Sequence, residues 1–256
     1  EKAGFEVFSG VNVPSKAFGE FVEHTYDTPR IPALDVQKMI DDGEDMVVLD
    51  SRPMSEFRSM NIPMGVDVPG AELALRVHDI APNPETIVVV NCAGRTRSII
   101  GCQSLKNAGI PNKVVALENG TMGWHLAGLD LEYGNERRYG ELSVEGLKRA
   151  KACAAHVRER FGVQTIDKAT LATWCVEKNR TTYILDVRDP EEFNEAHIPN
   201  SRPAPGGQLV QATDRYVGTL GARIVCVDDN GVRAMMTASW LVQLGWEAVV
   251  LVPGAI

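Results

Sequence analysis

Three short apolar runs punctuate the first half of the chain: Met46-Val47-Val48-Leu49, Ile87-Val88-Val89-Val90 and Val114-Val115-Ala116-Leu117. None alternates with polar residues, and all are rich in β-branched side chains. That pattern predicts strands buried on both faces, as in a parallel sheet. The segments between them carry helical spacing. A short helix is predicted over 35–40 and a helical turn over 54–58, with a bend at Ile62-Pro63. Further helices are predicted over 73–77 and 98–107, the latter stopped by Gly109. A closing helix is predicted from Gly123. Strands alternating with helices at this spacing predict an α/β fold with a mostly parallel sheet. In such sheets, ligand-binding loops lie beyond the carboxyl ends of strands. Residues 143–161 read differently. Leu147, Ala150, Ala154, Val157 and Phe161 recur at steps of three or four, among Lys148, Arg149, Arg158 and Arg160. This is an amphipathic linker helix, expected to pack on a domain.

The pattern occurs twice. Residues 49–57 read LDSRPMSEF and residues 185–193 read LDVRDPEEF, an offset of 136. At that offset Ile62-Pro63 meets Ile198-Pro199, Pro69-Gly70 meets Pro205-Gly206, and Arg97 meets Arg233. A repeat of this length is domain-sized. Two homologous domains are expected, 26–135 and 160–256, joined by a linker helix over 136–159. Residues 3–10, AGFEVFSG, mirror residues 127–134, AGLDLEYG. Residues 1–25 are therefore expected to be the tail of a preceding domain plus a linker, and 160–256 to lack its last helix.

Composition narrows the class. The chain has 256 residues, 44% apolar and 23% charged, as in globular domains. A net charge of -8 argues against nucleic acid as a partner. With no run of 18 apolar residues and no signal peptide at the start, no membrane partner is expected. The five cysteines are odd in number and form no CxxC, so neither a disulfide scaffold nor a metal site is expected. A reducing compartment, the cytoplasm, fits this usage. Trp124, Trp174, Trp240 and Trp246 read as core.

The chemistry concentrates at Cys92. It ends the second apolar run and opens the loop Cys92-Ala93-Gly94-Arg95-Thr96-Arg97, which leads into a helix. Ala93 and Gly94 let the chain curl so that backbone N–H groups face inward. The helix N-terminus and two arginine charges, Arg95 and Arg97, add positive potential. All favour a thiolate and an incoming anion. Two reactions fit such a cup: attack on an anionic sulfur donor, leaving a persulfide, or attack on a phosphoryl group. In the second copy Asp228 replaces the cysteine and Asp229 follows it, so that loop is expected to be inactive and to repel anions, with Arg233 retained. Cys226 reads as a buried strand residue, and Cys102 as too far along the helix to resolve a persulfide.

The strand-CAGRTRS-helix passage resembles the active-site loop of the rhodanese family of sulfurtransferases. LDSRPMSEF and LDVRDPEEF resemble that family's early D-x-R-x-x-x-E-[FY] motif, and NIPMG (61–65) and HIPN (197–200) its GHIPGA stretch, with Asn61 in place of the histidine. NGTMGW (119–124) resembles its closing GG-x-x-x-W signature. The opening and the cysteine loop look like bacterial proteins with several tandem rhodanese domains. The resemblance implies tandem rhodanese-like domains, the first catalytic and the second inactive, with preceding and following rhodanese-like domains in the full-length protein. It implies Cys92 as the persulfide-bearing nucleophile, Ala93 through Arg97 as the cradle of the substrate, and Asp50 with Arg52 as a structural ion pair beside the site. The implied activity is that of a thiosulfate sulfurtransferase without a cofactor. It moves sulfane sulfur from thiosulfate or a similar anion to cyanide or a thiol. A sulfur-accepting protein is a further partner of this reading. The six-residue loop favours sulfur transfer over a phosphatase, and a non-enzymatic sulfur relay or protein-binding scaffold is the remaining alternative. Glu72, Arg76 and His125 are expected near the mouth.

Overall fold

The computed structural model describes residues 13–254. Of the segment expected to be a preceding domain's tail, residues 1–12 lie outside the described residues. The rest forms α1 (Val13–Tyr26), a helix the apolar pattern did not announce. The first unit follows as β1 (Arg30–Ile31), α2 (Ala33–Asp41), β2 (Met46–Asp50), α3 (Met54–Ser59), β3 (Val66–Asp67), α4 (Leu73–Ile80), β4 (Ile87–Asn91), α5 (Thr96–Ala108), β5 (Val114–Leu117) and α6 (Gly120–Leu126). Helix α7 (Val144–Phe161) leads to the second unit. That unit runs β6 (Gln164–Ile166), α8 (Lys168–Val176), β7 (Thr182–Asp186), α9 (Pro190–Glu195), β8 (Arg202–Pro203), α10 (Gly206–Gln211), α11 (Thr213–Tyr216), β9 (Arg223–Val227), α12 (Val232–Gln243) and β10 (Glu247–Leu251).

Each unit folds on a five-stranded parallel sheet, β1-β5-β4-β2-β3 in the first and β6-β10-β9-β7-β8 in the second. The cysteine-bearing β4 is the middle strand, with Val90 opposite Leu49 and Ala116. Successive strand residues face opposite sides. Val89 and Val115 pack outward with Val36 of α2 and Trp124 of α6. Val88 and Val90 pack inward with α4 and α5. The second sheet divides likewise: Val225 and Val249 face α8, while Ile224, Cys226 and Val250 face inward.

The inward faces merge. One apolar cluster runs from Leu49, Val88 and Val90 through Ala150, Ala154 and Val157 of α7 to Ile224, Leu241 and Val250. Helix α7 is therefore more than a linker packed on one domain. Its small buried residues lie between α4 and α12 and complete both cores. Helix α1 seals the far end, where Val22, Phe18 and Tyr26 join Ile99, Val210 and Trp240. Ser143 caps α7 by accepting from the Gly146 amide, and Gly162 ends it in the left-handed region.

One group in this layer opposes folding at neutral pH. Asp67, at the end of β3, is fully buried, and neither carboxylate oxygen has a hydrogen-bond partner. Its nearest cation is Arg138 Nε at 3.6 Å. Burial, with Asp50 and Asp189 adding, pushes its pKa up to about 7 against the pull of Arg138 and Arg52. A carboxyl group with a raised folded-state pKa contributes full stability below about pH 4, which is lost as pH rises through about 7. Asp67→Asn should therefore gain on the parent between those limits by on the order of 2–4 kcal/mol. Urea unfolding at a series of pH values measures this, and parallel curves for the two proteins would contradict it.

Candidate active site

Cys92 leaves the carboxyl end of β4 and is 1% exposed. Helix α6 sets the shape of the loop behind it. The amides of Thr121 and Met122 donate to the carbonyls of Cys92 and Ala93 at 2.8 and 3.0 Å, and the Thr121 hydroxyl also donates to Cys92 O at 3.2 Å. A trans peptide sets its N–H opposite its carbonyl, so the amides of Ala93 and Gly94 face away from α6. Gly120 makes the approach possible. A Cβ there would strike the Cys92 carbonyl oxygen and stand 2.8 Å from the Gly94 nitrogen. These contacts explain why α6 begins at Gly120, three residues before the apolar pattern placed it. Helix α5 likewise begins early, at Thr96, so its unpaired first-turn amides belong to the loop. Ser98 in that turn sets its hydroxyl 3.5 Å from Cys92 Sγ.

The two arginines do not bring unanswered charge. Arg97 makes a bidentate pair with Glu56 of α3, at 2.8 and 2.7 Å. Burial works against the Arg97 charge, and Glu56, with Cys92 and Asp50 behind it, more than offsets that. Arg95 turns outward to Glu20 and Glu23 of α1, at 2.9 and 2.5 Å. Both arginine charges expected to add positive potential near the sulfur are thus paired with carboxylates. The sequence shows the arginines, and only tertiary packing brings α1 and α3 to them. The pull on an anion rests chiefly on the loop amides and the start of α5.

Beneath the loop, Asp50 and Arg52 form a buried bidentate pair at 2.9 and 2.8 Å. Arg52 also donates to the Met60 carbonyl at 2.8 Å. Asn91 donates to Asp50 at 2.8 Å and to the Thr121 hydroxyl at 3.0 Å. A chain of hydrogen bonds thus links this ion pair to the Cys92 carbonyl.

The second loop has the same frame and a different filling. Asp228 is 1% exposed, and its carboxylate accepts from the amides of Gly231 at 2.7 Å and Ala234 at 3.2 Å. Burial pushes its pKa up to about 6, against the pull of Arg233 and the two amides. The loop therefore binds its own anion, a stronger bar to a donor than the repulsion read from two acidic residues. Arg233 is held by Glu192 at 2.6 and 2.9 Å, by Asp229 at 2.7 Å, and by Glu72 of the first unit at 2.5 Å.

That last contact corrects another expectation. Glu72 and Arg76 are not residues of the mouth. Glu72 is buried between the units, bound to Arg233 and to Arg76 at 2.9 Å, and Arg76 lies 4.3 Å over the Tyr139 ring. His125 is exposed on α6. Cys102 packs in α5, where burial pushes its thiol up to about 12, and burial raises Cys226 as well. Glu56, Asn91, Ser98 and Thr121 were not singled out from the sequence. Glu56 left a signal, since the repeat keeps a glutamate at 192. Asn91, Ser98 and Thr121 left none that spacing alone could separate from ordinary packing.

Comparison with known proteins agrees with this architecture. A family model described as Rhodanese-like domain matches residues 33–127 and 169–256. No curated protein matches the chain. The crystal structure of thiosulfate sulfurtransferase from Pseudomonas aeruginosa is 56% identical, with a TM-score of 0.94, over 98% of this chain and 48% of that one. The chain thus spans about half the length of that relative. The crystal structure of SseA from Escherichia coli, a 3-mercaptopyruvate sulfotransferase, is 18% identical over 88% of this chain and 97% of its own, with a TM-score of 0.36. The rhodanese-like domain of Alr3790 from Anabaena is 21% identical over 45% and 92%, with a TM-score of 0.38. With the family pattern matched once on each five-stranded sheet, the chain belongs to the rhodanese family and carries two rhodanese-like domains.

Proposed function

We propose that the first domain is a thiosulfate sulfurtransferase with Cys92 as its nucleophile. The contrast between the twin loops carries this reading. One loop sets a cysteine at the strand end beside the Ser98 hydroxyl, and the other sets a carboxylate there that binds the amides of Gly231 and Ala234. The first is furnished for a bound anion and a covalent sulfur. The second supplies its own anion and has no nucleophile.

The Cys92 thiolate attacks the outer sulfur of thiosulfate. The sulfur–sulfur bond of the donor breaks and sulfite leaves with the electron pair. The persulfide anion on Cys92 stays within the loop, where the amides and the helix start stabilise it. Cyanide or a thiol then attacks the outer sulfur, and the Cys92 thiolate returns. Ala93, Gly94, Arg95 and Thr96 form the wall of the cup, and Arg97 closes it. Asp50 and Arg52 hold its floor.

The thiosulfate sulfurtransferase from Pseudomonas aeruginosa supports this donor. A cytoplasmic setting is part of the proposal. It is supported by five free cysteines. Further rhodanese-like domains on either side, and a sulfur-accepting protein, complete the proposed partners.

Incubation with thiosulfate should add the mass of one sulfur atom to the chain, and cyanide should remove it as thiocyanate. Cys92→Ser should gain nothing. No gain in the parent would sink the thiosulfate reading and favour a relay loaded by another protein. Asp228→Cys in a Cys92→Ser background should also stay unloaded, because Glu72, Glu192 and Asp229 would still surround Arg233 and leave net negative charge beside that loop, where Arg97 pairs with Glu56. A sulfur gain there would show that the nucleophile alone separates the two loops.

A further inference from the structure

Helix α1 precedes the first unit and joins neither sheet, yet it packs on the cysteine loop. Its Val22 shares an apolar cluster with Ile99 of α5. One turn earlier, Gly19 lies so close to the loop that a Cβ there would stand 2.9 Å from Thr96 Cγ2. That approach brings two carboxylates to Arg95, with Glu23 at 2.5 Å and Glu20 at 2.9 Å from its guanidinium. Arg95 is also joined to the surroundings of the sulfur. Its carbonyl accepts from the Ser98 hydroxyl at 2.9 Å, and that hydroxyl lies 3.5 Å from Cys92 Sγ.

Glu23 is shared between two arginines. Its side chain is 10% exposed, and it also accepts from Arg30 of β1 at 3.2 Å. Arg30 in turn reaches Glu118, the residue after β5, at 3.1 Å. Glu23, Arg30, Arg95, Ser98 and Glu118 line one cavity of about 510 Å³ beside the loop. The carboxylate of α1 thus stands in the wall of a cavity that shares Ser98 with the sulfur.

The charges around the cup do not all cancel in the same way. Arg52 and Arg97 are each matched by one carboxylate, Asp50 and Glu56. Around Arg95, the carboxylates of Glu20, Glu23 and Glu118 stand against the guanidiniums of Arg30 and Arg95. These five side chains carry an excess of one negative charge. The repeat equivalent of Arg95 is Gly231, so the inactive loop cannot form this pair. An anion in the cup feels that excess, and a doubly charged anion such as thiosulfate feels it twice.

We propose that Glu23 sets how strongly the sulfur cup holds anions, by fixing the Arg95 guanidinium against α1 and cancelling its charge. Donor binding then rests on the loop and the start of α5, and the sulfite formed there is free to leave. Glu23 is a positioning residue that determines specificity for charge. It lies outside residues 33–127, the stretch that matches the family pattern. This rests on the persulfide reading of Cys92, and the test separates the two.

Glu23→Gln keeps the side-chain shape and removes one charge. At low salt the KM for thiosulfate should fall about tenfold, and sulfite should inhibit more strongly by a similar factor. The rate of Cys92 alkylation by iodoacetate relative to iodoacetamide reads the same field without sulfur transfer. Both reagents meet the same thiolate, so the ratio reports the charge of the incoming reagent. It should rise about threefold, and the rise should vanish in about 1 M salt, where screening acts over roughly 3 Å. If Glu23→Gln fails to fold, Glu20→Gln removes the other carboxylate from Arg95 and carries the test. A ratio within about 1.5-fold of the parent in every folded variant, or a thiosulfate KM that rises, overturns the proposal. A parent that takes no sulfur from thiosulfate, while the variants raise the ratio, overturns the donor reading and leaves Glu23 in its role.

Discussion

A guanidinium taken out of water needs carboxylates within hydrogen-bonding distance, and four arginines impose that need here. Arg52 and Arg233 are almost wholly buried, with Arg188 and Arg97 close behind. Removing one partner of such a pair typically costs about 3–5 kcal/mol, because the remaining charge is left buried and unanswered. Arg52 and Arg188 find Asp50 and Asp186 two residues away, and each also donates to the carbonyl that ends the next helix. Those local pairs fix the ends of β2 and β7. Arg97 and Arg233 must look further, to α3 and α9, and Arg233 looks beyond its own domain. The positions of the helices around both loops follow from those demands.

The same frame then supports two different loops. In the first, the carbonyls of Cys92 and Ala93 are bound by α6, and the Ser98 hydroxyl lies 3.5 Å from the Cys92 sulfur. In the second, Asp228 folds back on the amides of Gly231 in its loop and Ala234 in the first turn of α12, and Gly231 takes a left-handed turn where Arg95 does not. One site is kept open by contacts from behind, and the other is closed by its own side chain. Both leave an arginine that must be satisfied, so the interface could retain these pairs whatever became of the chemistry.

The two domains are not independent bodies. Their inward sheet faces share one apolar cluster through α7, and α1 binds the seam from the other side. The Trp240 indole donates to Ser104 across the interface at 2.7 Å, and those two residues are themselves repeat equivalents. A helix that looked like a tether by composition thus completes both cores.

The strands, the repeat, the cysteine loop and the aspartate that replaces the cysteine in the second copy were all legible along the chain. Each is written in local terms: unbroken β-branched runs, a constant offset, a glycine beside a reactive residue type. Helix α1 was not legible, because its apolar face matters only against Ile99, Val210 and Trp240, which are distant in sequence. Nor was the partnering of the arginines. Sequence names a charge but not its neighbour, so Arg95 and Arg97 read as positive charges of the loop, and only the structure sets α1 and α3 against them. Glu72 read as a residue of the mouth until its partner proved to be 161 positions away. The sequence by itself determined the fold and singled out the proposed nucleophile, since both readings depend on periodicity and residue type. Tertiary structure alone decided which charges cancel and which amides stay open, because electrostatic interactions depend on distance in space and not along the chain.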